Sequence, residues 1–158
     1  MMGKRKHFDR ELYNKNDKLA KECTRAIIKK HKNFKVEENE KKRGVDLLLY
    51  YKGKHVANIE CEIKRVWKTK KFFYPSIQIP ERKEKFTGLD KPTIFIVFNN
   101  DQSSYMAIEE KNLLASPKKE VPNRFVYKGE YFFQVPRRKA VQDSMKSILK
   151  RLEKKNGK

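Results

Sequence analysis

A chain of 158 residues with 40 Lys and Arg against 20 Asp and Glu has room for one ordinary core, and its formal net charge of +20 makes a polyanion its natural neighbour. Ten Phe, seven Tyr and one Trp exclude a disordered basic tail, and apolar runs no longer than stretches such as Ile94 to Phe98 exclude a transmembrane helix. No charged, apolar, small-residue leader opens the chain, and Cys23 and Cys61 suit buried thiols, so a cytoplasmic, nucleoid-associated protein without membrane contact is expected, not a disulfide scaffold or a cysteine zinc site.

Thirty of the cations are Lys and ten are Arg. Lysine meets phosphate as a point charge, whereas base edges favour the Arg fork, so the bias points to backbone contact. An AT-rich genome yields the same ratio without any such cause.

In chain order, Phe8, Leu12, Leu19, Cys23, Ala26 and Ile27 recur at helical spacing and predict a helix from Asp9, its N-cap, to about His31. A short strand over Phe34 to Glu38 follows. Val45 to Tyr51 is apolar and aromatic apart from Asp46, which predicts a strand buried on both faces. Lys52-Gly53-Lys54 predicts a tight hairpin, and His55 to Val66 returns as a strand of strict alternation. Ala57, Ile59, Cys61 and Ile63 point one way; Asn58, Glu60, Glu62 and Lys64 point the other.

Residues 67–79 show no period. A short helix is expected from Pro80 to about Leu89, then a buried strand at Thr93 to Asn99, a polar turn, and a partner strand at Ser104 to Glu109. Leu113-Leu114 closes a turn of helix and Ser116 to Pro122 reads as a loop. Arg124 to Tyr127 and Glu130 to Val135 read as a hairpin around Lys128-Gly129, and residues 139–158 as a basic helix with Val141, Met145, Ile148 and Leu152 on one face. One α/β domain spanning 1–158 is predicted, with a core at about 9–99 and additional strands over 100–138.

The chemistry concentrates in one hairpin. Asp46 lies in the strand before Lys52-Gly53-Lys54, and Glu60, Glu62 and Lys64 share one face of the strand after it, so Asp46 falls close to Glu60 or Glu62. Carboxylates inside a strand are costly unless paired or bound to metal. Several together suit a hard divalent cation, Mg²⁺ or Mn²⁺, which binds through one or two carboxylates and keeps water and phosphate oxygens. A lysine on the same face positions a water and stabilises charge developing on phosphorus oxygens. Phosphodiester hydrolysis is the chemistry this set suits. The bland alternative makes Glu60, Glu62 and Lys64 the solvated face of an edge strand and Asp46 the cap of a turn.

Gly44-Val45-Asp46 followed across a hairpin by Glu60-Cys61-Glu62-Ile63-Lys64 resembles the core of the PD-(D/E)XK nuclease superfamily, with Val45 where the family has proline. The resemblance, to a small stand-alone phage-, mobile-element- or archaeal-type member, covers roughly the first two-thirds of the chain. It implies a restriction-endonuclease-like αβββαβ core with a mixed central sheet flanked by helices. It makes Asp46 and Glu62 the acids that flank the metal and Lys64 the catalytic lysine. Glu60 is a further candidate metal ligand, or else a partner for Lys64 or Arg43. The helix acid that many members add falls on Glu22, with Glu11 in reserve. Gln78, Arg82 and Lys83 are placed near the site or on substrate phosphate, where a surface charge run fits equally well. Lys42, Arg43, Arg65, Lys68, Lys70 and Lys71 complete the candidate nucleic-acid contacts.

Trp67, Phe72, Phe73 and Tyr74 interleave with those lysines, as stacking surface or as core under a loop. His7, His31 and His55 share no spacing. A Mg²⁺-dependent endonuclease acting on DNA is the first expectation, structure-selective for junctions, flaps or single strands and dimeric by analogy. A non-catalytic nucleic-acid-binding protein on the same fold, or an RNA-directed nuclease, is the alternative.

Overall fold

The computed structural model describes residues 10–41, 44–123 and 126–157, the side chains of 10–13, 123 and 126–128 excepted. In chain order its elements are α1 (Arg10–Lys29), β1 (Phe34–Glu38), β2 (Leu47–Tyr51), β3 (Lys54–Ile63), β4 (Ser76–Pro80), a 3-10 turn (Glu81–Phe86), β5 (Thr93–Phe98), β6 (Tyr105–Glu109), α2 (Glu110–Leu114), β7 (Lys118–Asn123), β8 (Val126–Pro136), a 3-10 turn (Arg137–Lys139), β9 (Val141–Gln142) and α3 (Lys146–Asn156). Asp9, the expected N-cap, lies outside the described residues, as do Phe8 and His7.

Six strands form a mixed sheet in the order β1-β2-β3-β5-β6-β9, and β4-β8-β7 form a second, antiparallel sheet. The first three strands are an antiparallel meander, with residues 39–46 between β1 and β2 and a tight turn between β2 and β3. Lys52 (φ 50°) and Gly53 (φ 80°) make the two-residue, positive-φ turn that matches the twist of a hairpin. β5 is parallel to β3, so the chain between them crosses over one face of the sheet, and β4 with the Glu81–Phe86 turn is that crossover.

The alternation in β3 decides what covers each face. Ala57, Ile59 and Cys61 join Leu47, Leu49, Ile94 and Ile96 under α1 and α3, where Ala20, Ile28, Ile148, Leu149 and Leu152 are buried. On the other face Phe95, Val97, Met106 and Ile108 pack against Trp67, Ile77, Ile79, Phe86, Phe133 and Val135. The two longer helices, α1 and α3, therefore share one face, and the second sheet covers most of the other, to which α2 adds Leu113. No described helix is long and apolar enough to cross a membrane.

Several elements differ from their sequence-based expectation. The buried stripe of α1 is Ala20, Thr24 and Ile28 with half-buried Cys23 and Ile27, whereas Ala26 is exposed. The expected helix after Pro80 is one 3-10 turn, whose three-residue period sets Lys83 and Phe86 on the same side. Of Ser116 to Pro122, expected as a loop, Lys118 onward is strand, because β7 finds a partner in β8. The final helix starts only at Lys146, and Val141 belongs to β9, the edge of the main sheet.

Gly129 sits inside β8 at φ 83°, opposite a register shift in β7, and not at the tip of a hairpin. It is a bulge, and the hairpin closes earlier, where Asn123 pairs with Val126. A Cβ on Gly129 would lie 2.8 Å from the Val121 carbonyl oxygen, whereas one on Gly53 would meet nothing within 4 Å. Both substitutions to Ala carry the left-handed backbone penalty of about 1 kcal/mol. Gly129→Ala adds a collision, so its loss of stability in urea unfolding should exceed that of Gly53→Ala. Equal losses would show that the bulge yields freely.

Candidate active site

The antiparallel register Leu47↔Ile59 sets Asp46 across from Glu60, just beyond the last ladder pair of the hairpin. Two backbone donors that β2 no longer serves are met by these side chains. The Asp46 N–H donates to Glu60 Oε2 at 2.7 Å, and the Cys61 N–H donates to Asp46 Oδ2 at 3.0 Å. The two acids thus close the open end of the hairpin reciprocally, at the end of β3 where it lies parallel to β5.

Glu60 is only 4% exposed. Its second oxygen, Oε1, accepts from the Lys83 ammonium at 2.9 Å. The parallel register pairs Glu60 with Phe95 and Glu62 with Val97, so both glutamates face the side covered by the crossover. Glu62 is more open and lies 3.8 Å from the Lys64 ammonium. Lys64 extends the parallel ladder one step, its N–H donating to the Phe98 carbonyl at 2.8 Å, which fixes the backbone from which its side chain springs.

Burial dominates the electrostatics. It raises the Glu60 carboxyl from 4.5 to about 7, opposed by the Lys83 ammonium and reinforced by Asp46. Burial likewise raises Asp46, opposed by the Cys61 N–H and reinforced by the negative charge of Asp17. For Lys83 burial acts downward but loses to Glu60, Glu62 and Asp46, and the ammonium is held above its usual range. Lys83 therefore pairs with Glu60 from the crossover and lies in the field of Glu62 and Asp46.

The acid that α1 directs toward Asp46 is Asp17, with Lys21 bridging to it at 3.2 Å. Glu22 is exposed on another face of α1 and does not reach Asp46, and the side chain of Glu11 lies outside those described. The signal for Asp17 was present, since 17, 20, 24 and 28 are helically spaced and three of the four are buried. A stripe drawn through Leu19, Cys23 and Ala26 is rotated from the real one and selects Glu22.

Other candidates fall elsewhere. Lys83, expected on substrate phosphate, is engaged with Glu60 because the 3-10 turn aims it inward. Arg82 points outward to Glu130, 2.6 Å away, and Gln78 lies on the face of β4 opposite Ile77 and Ile79. Arg65, Lys68, Lys70 and Lys71 are exposed on the segment leaving Lys64, whereas Lys42 and Arg43 lie outside the described residues. His55, at the opposite end of the hairpin, is 2.9 Å from the side-chain oxygen of Asn58.

Among the described residues, no three His, Cys, Asp or Glu side chains converge as a preformed metal cage. The donors that approach one another are hard carboxylate oxygens, those of Asp46 and Glu60 at the open end of the hairpin with Glu62 two residues on. Such a set fits Mg²⁺ or Mn²⁺ held by two carboxylates and completed by water and phosphate, and does not fit a softer metal. No family model, curated protein or solved structure matches this chain.

Because Glu60 binds its proton more tightly folded than unfolded, its contribution to stability is full below pH 4.5 and is lost as pH rises through about 7. In metal-free buffer, the stability of wild type minus that of Glu60→Gln should fall by on the order of 2 kcal/mol between pH 4.5 and 8. Lys83→Met should move the Glu60 midpoint still higher. A flat difference across that range would mean that Glu60 is not buried as described.

Proposed function

We propose that the chain is a divalent-metal-dependent nuclease that hydrolyses phosphodiester bonds of DNA. The observation that carries this reading is the gathering of Asp46, Glu60, Glu62, Lys64 and Lys83 at one end of the parallel β3–β5 pair, in a protein of net charge +20. Ligand sites in sheets with parallel strands favour that end. Support also comes from the order of elements: a helix, an antiparallel meander, a crossover and a strand parallel to the third. That is the order the PD-(D/E)XK resemblance implies, with a strand and a 3-10 turn in place of a crossover helix.

In this reading Asp46 and Glu62 hold Mg²⁺ or Mn²⁺, which when bound polarises the phosphoryl group and acidifies a water. Lys64, beside Glu62 and anchored through its backbone to β5, orients the attacking water and offsets charge growing on the phosphate oxygens. Glu60 serves as the brace that holds Asp46 through its backbone N–H, while Lys83 favours the ionised form of Glu60 against burial. The exposed lysines bind the sugar–phosphate backbone without regard to sequence. A homodimer is the natural way for so small a domain to cut both strands.

A second reading, nucleic-acid binding without catalysis on DNA or RNA, is favoured by one observation: Glu60 and Glu62 already have lysine partners at 2.9 and 3.8 Å. Cleavage separates the two. Labelled single-stranded, duplex, flap and four-way-junction DNA, with an RNA strand alongside, should be cut in Mg²⁺ or Mn²⁺ and not in EDTA. Asp46→Asn, Glu62→Gln and Lys64→Ala should each lose at least about a hundredfold in rate. The two acid variants should keep or tighten binding, since a negative charge beside phosphate is gone. Wild-type binding with no cleavage of any substrate would overturn the nuclease.

A further inference from the structure

The segment from Lys64 to Pro75 has no regular secondary structure, yet it is pinned throughout. The Trp67 indole donates to the Lys71 carbonyl at 3.2 Å and Asn99 to the Thr69 carbonyl at 3.2 Å. Gln142 donates to the Lys70 carbonyl at 2.9 Å, and the Arg137 guanidinium to the Phe72 carbonyl at 2.9 Å. Trp67 and Phe72, only 2% and 4% exposed, meet edge to face at 5.2 Å and root the segment in the core. Two further aromatic side chains are left outside. Phe73 is 68% exposed and Tyr74 50% exposed.

Phe73 and half-exposed Tyr74, whose ring meets the buried Phe72 ring at 5.4 Å, are thereby presented to solvent on a fixed backbone. Lys68, Lys70 and Lys71 are exposed on the same segment, and the Lys71 ammonium stands 5.3 Å from the Phe73 ring centre. Rings and cations therefore share one rigid strip. Its anchors, Asn99 after β5 and Gln142 in β9, lie at the same sheet end as Lys64, within about three strand spacings, on the order of 15 Å.

We propose that Phe73 and Tyr74 are a stacking platform for unpaired bases of the nucleic acid, with Lys68, Lys70 and Lys71 taking the adjoining phosphates. This rests on the nuclease reading for its purpose, because it names the substrate class as a single strand, flap or opened junction. It does not rest on that reading for its chemistry. A paired base already has both faces covered in its own stack, so an exposed ring selects bases that are not. A second copy of this chain is the other conceivable occupant, but it would bring the same three lysines against these three.

The test is binding of the full chain in EDTA, where cleavage plays no part, by fluorescence anisotropy. The probes are a labelled single strand, a duplex of equal length, an abasic strand with the same phosphates, and an RNA strand. Phe73→Ala with Tyr74→Ala should weaken single-strand binding by about tenfold or more and leave the duplex within twofold. Phe73→Tyr with Tyr74→Phe should restore it, and the abasic strand should bind wild type no better than the single strand binds the double-alanine variant. The RNA arm tells which sugar accompanies the bases. Equal losses on single strand and duplex, or no loss, would overturn the platform. A wild-type dimer in sedimentation that the double-alanine variant dissociates would assign the rings to a second copy instead. Binding as expected together with no cleavage in metal would overturn only the nuclease.

Discussion

The arrangement turns on one buried carboxylate. Glu60 is almost wholly removed from water, and such a group is tolerable only if both its oxygens are occupied. One accepts the Asp46 N–H from β2 and the other the Lys83 ammonium from the crossover. A single side chain thereby fixes the open end of the β2–β3 hairpin and the placement of the segment that leads to β5. The 3-10 turn follows from the same demand, since its period lets Lys83 reach Glu60 while Phe86 enters the core. Replacing the pair with apolar residues would make a simpler core, so its presence is better accounted for by what surrounds it than by stability.

How much of this could be read from the chain depends on whether the deciding force was local. The β2–β3 hairpin was legible because Lys52-Gly53 supplies its turn, but counting back from that turn sets Asp46 opposite Ile59; a bulge at Leu49/Tyr50 shifts the register by one residue and brings Asp46 opposite Glu60. β5 was legible as a buried strand from its apolar run, and its parallel pairing with β3 is set by the crossover. β7 was not legible, because Lys118 to Asn123 has little strand character alone and is held by pairing with β8. Gly129 misled for a related reason: a glycine with positive φ marks a turn or a bulge equally well, and only the partner strand decides.

Within the site, the strand pattern implied the meeting of Asp46 and Glu60, whereas the helix pattern selected Glu22, which lies away from them. Strand periodicity is two, so a face is known once one residue is assigned and any bulge is located. Helix periodicity is 3.6, so a one-residue error in the stripe swings the chosen face by about 100°. Glu22, five residues from Asp17, stands about 140° away from it round the helix. Lys83 is a different case: nothing in Glu81-Arg82-Lys83 distinguishes an inward lysine from its outward neighbour Arg82, and the distinction arises only when Glu60 is buried beneath it. The aromatic cluster divides on the same principle, with Trp67 and Phe72 drawn under the loop and Phe73 and Tyr74 left out by the direction of the anchored backbone.

A chain of charge +20 attracts phosphate over most of its surface, so cations alone cannot mark a reactive place. What sets the end of β3 apart is negative charge held there against that background. Asp46 and Glu60 would lower their own ionisation by mutual repulsion and burial, and Lys83 opposes this from one side. Lys64 stands apart from that pairing, beside the more open Glu62 and at the boundary between the acids and the exposed lysines beyond. The two lysines thus divide two jobs that one cation cannot do together. Lys83 is engaged in opposing the loss of charge on Glu60, which in the proposed nuclease leaves Lys64 to meet the phosphate.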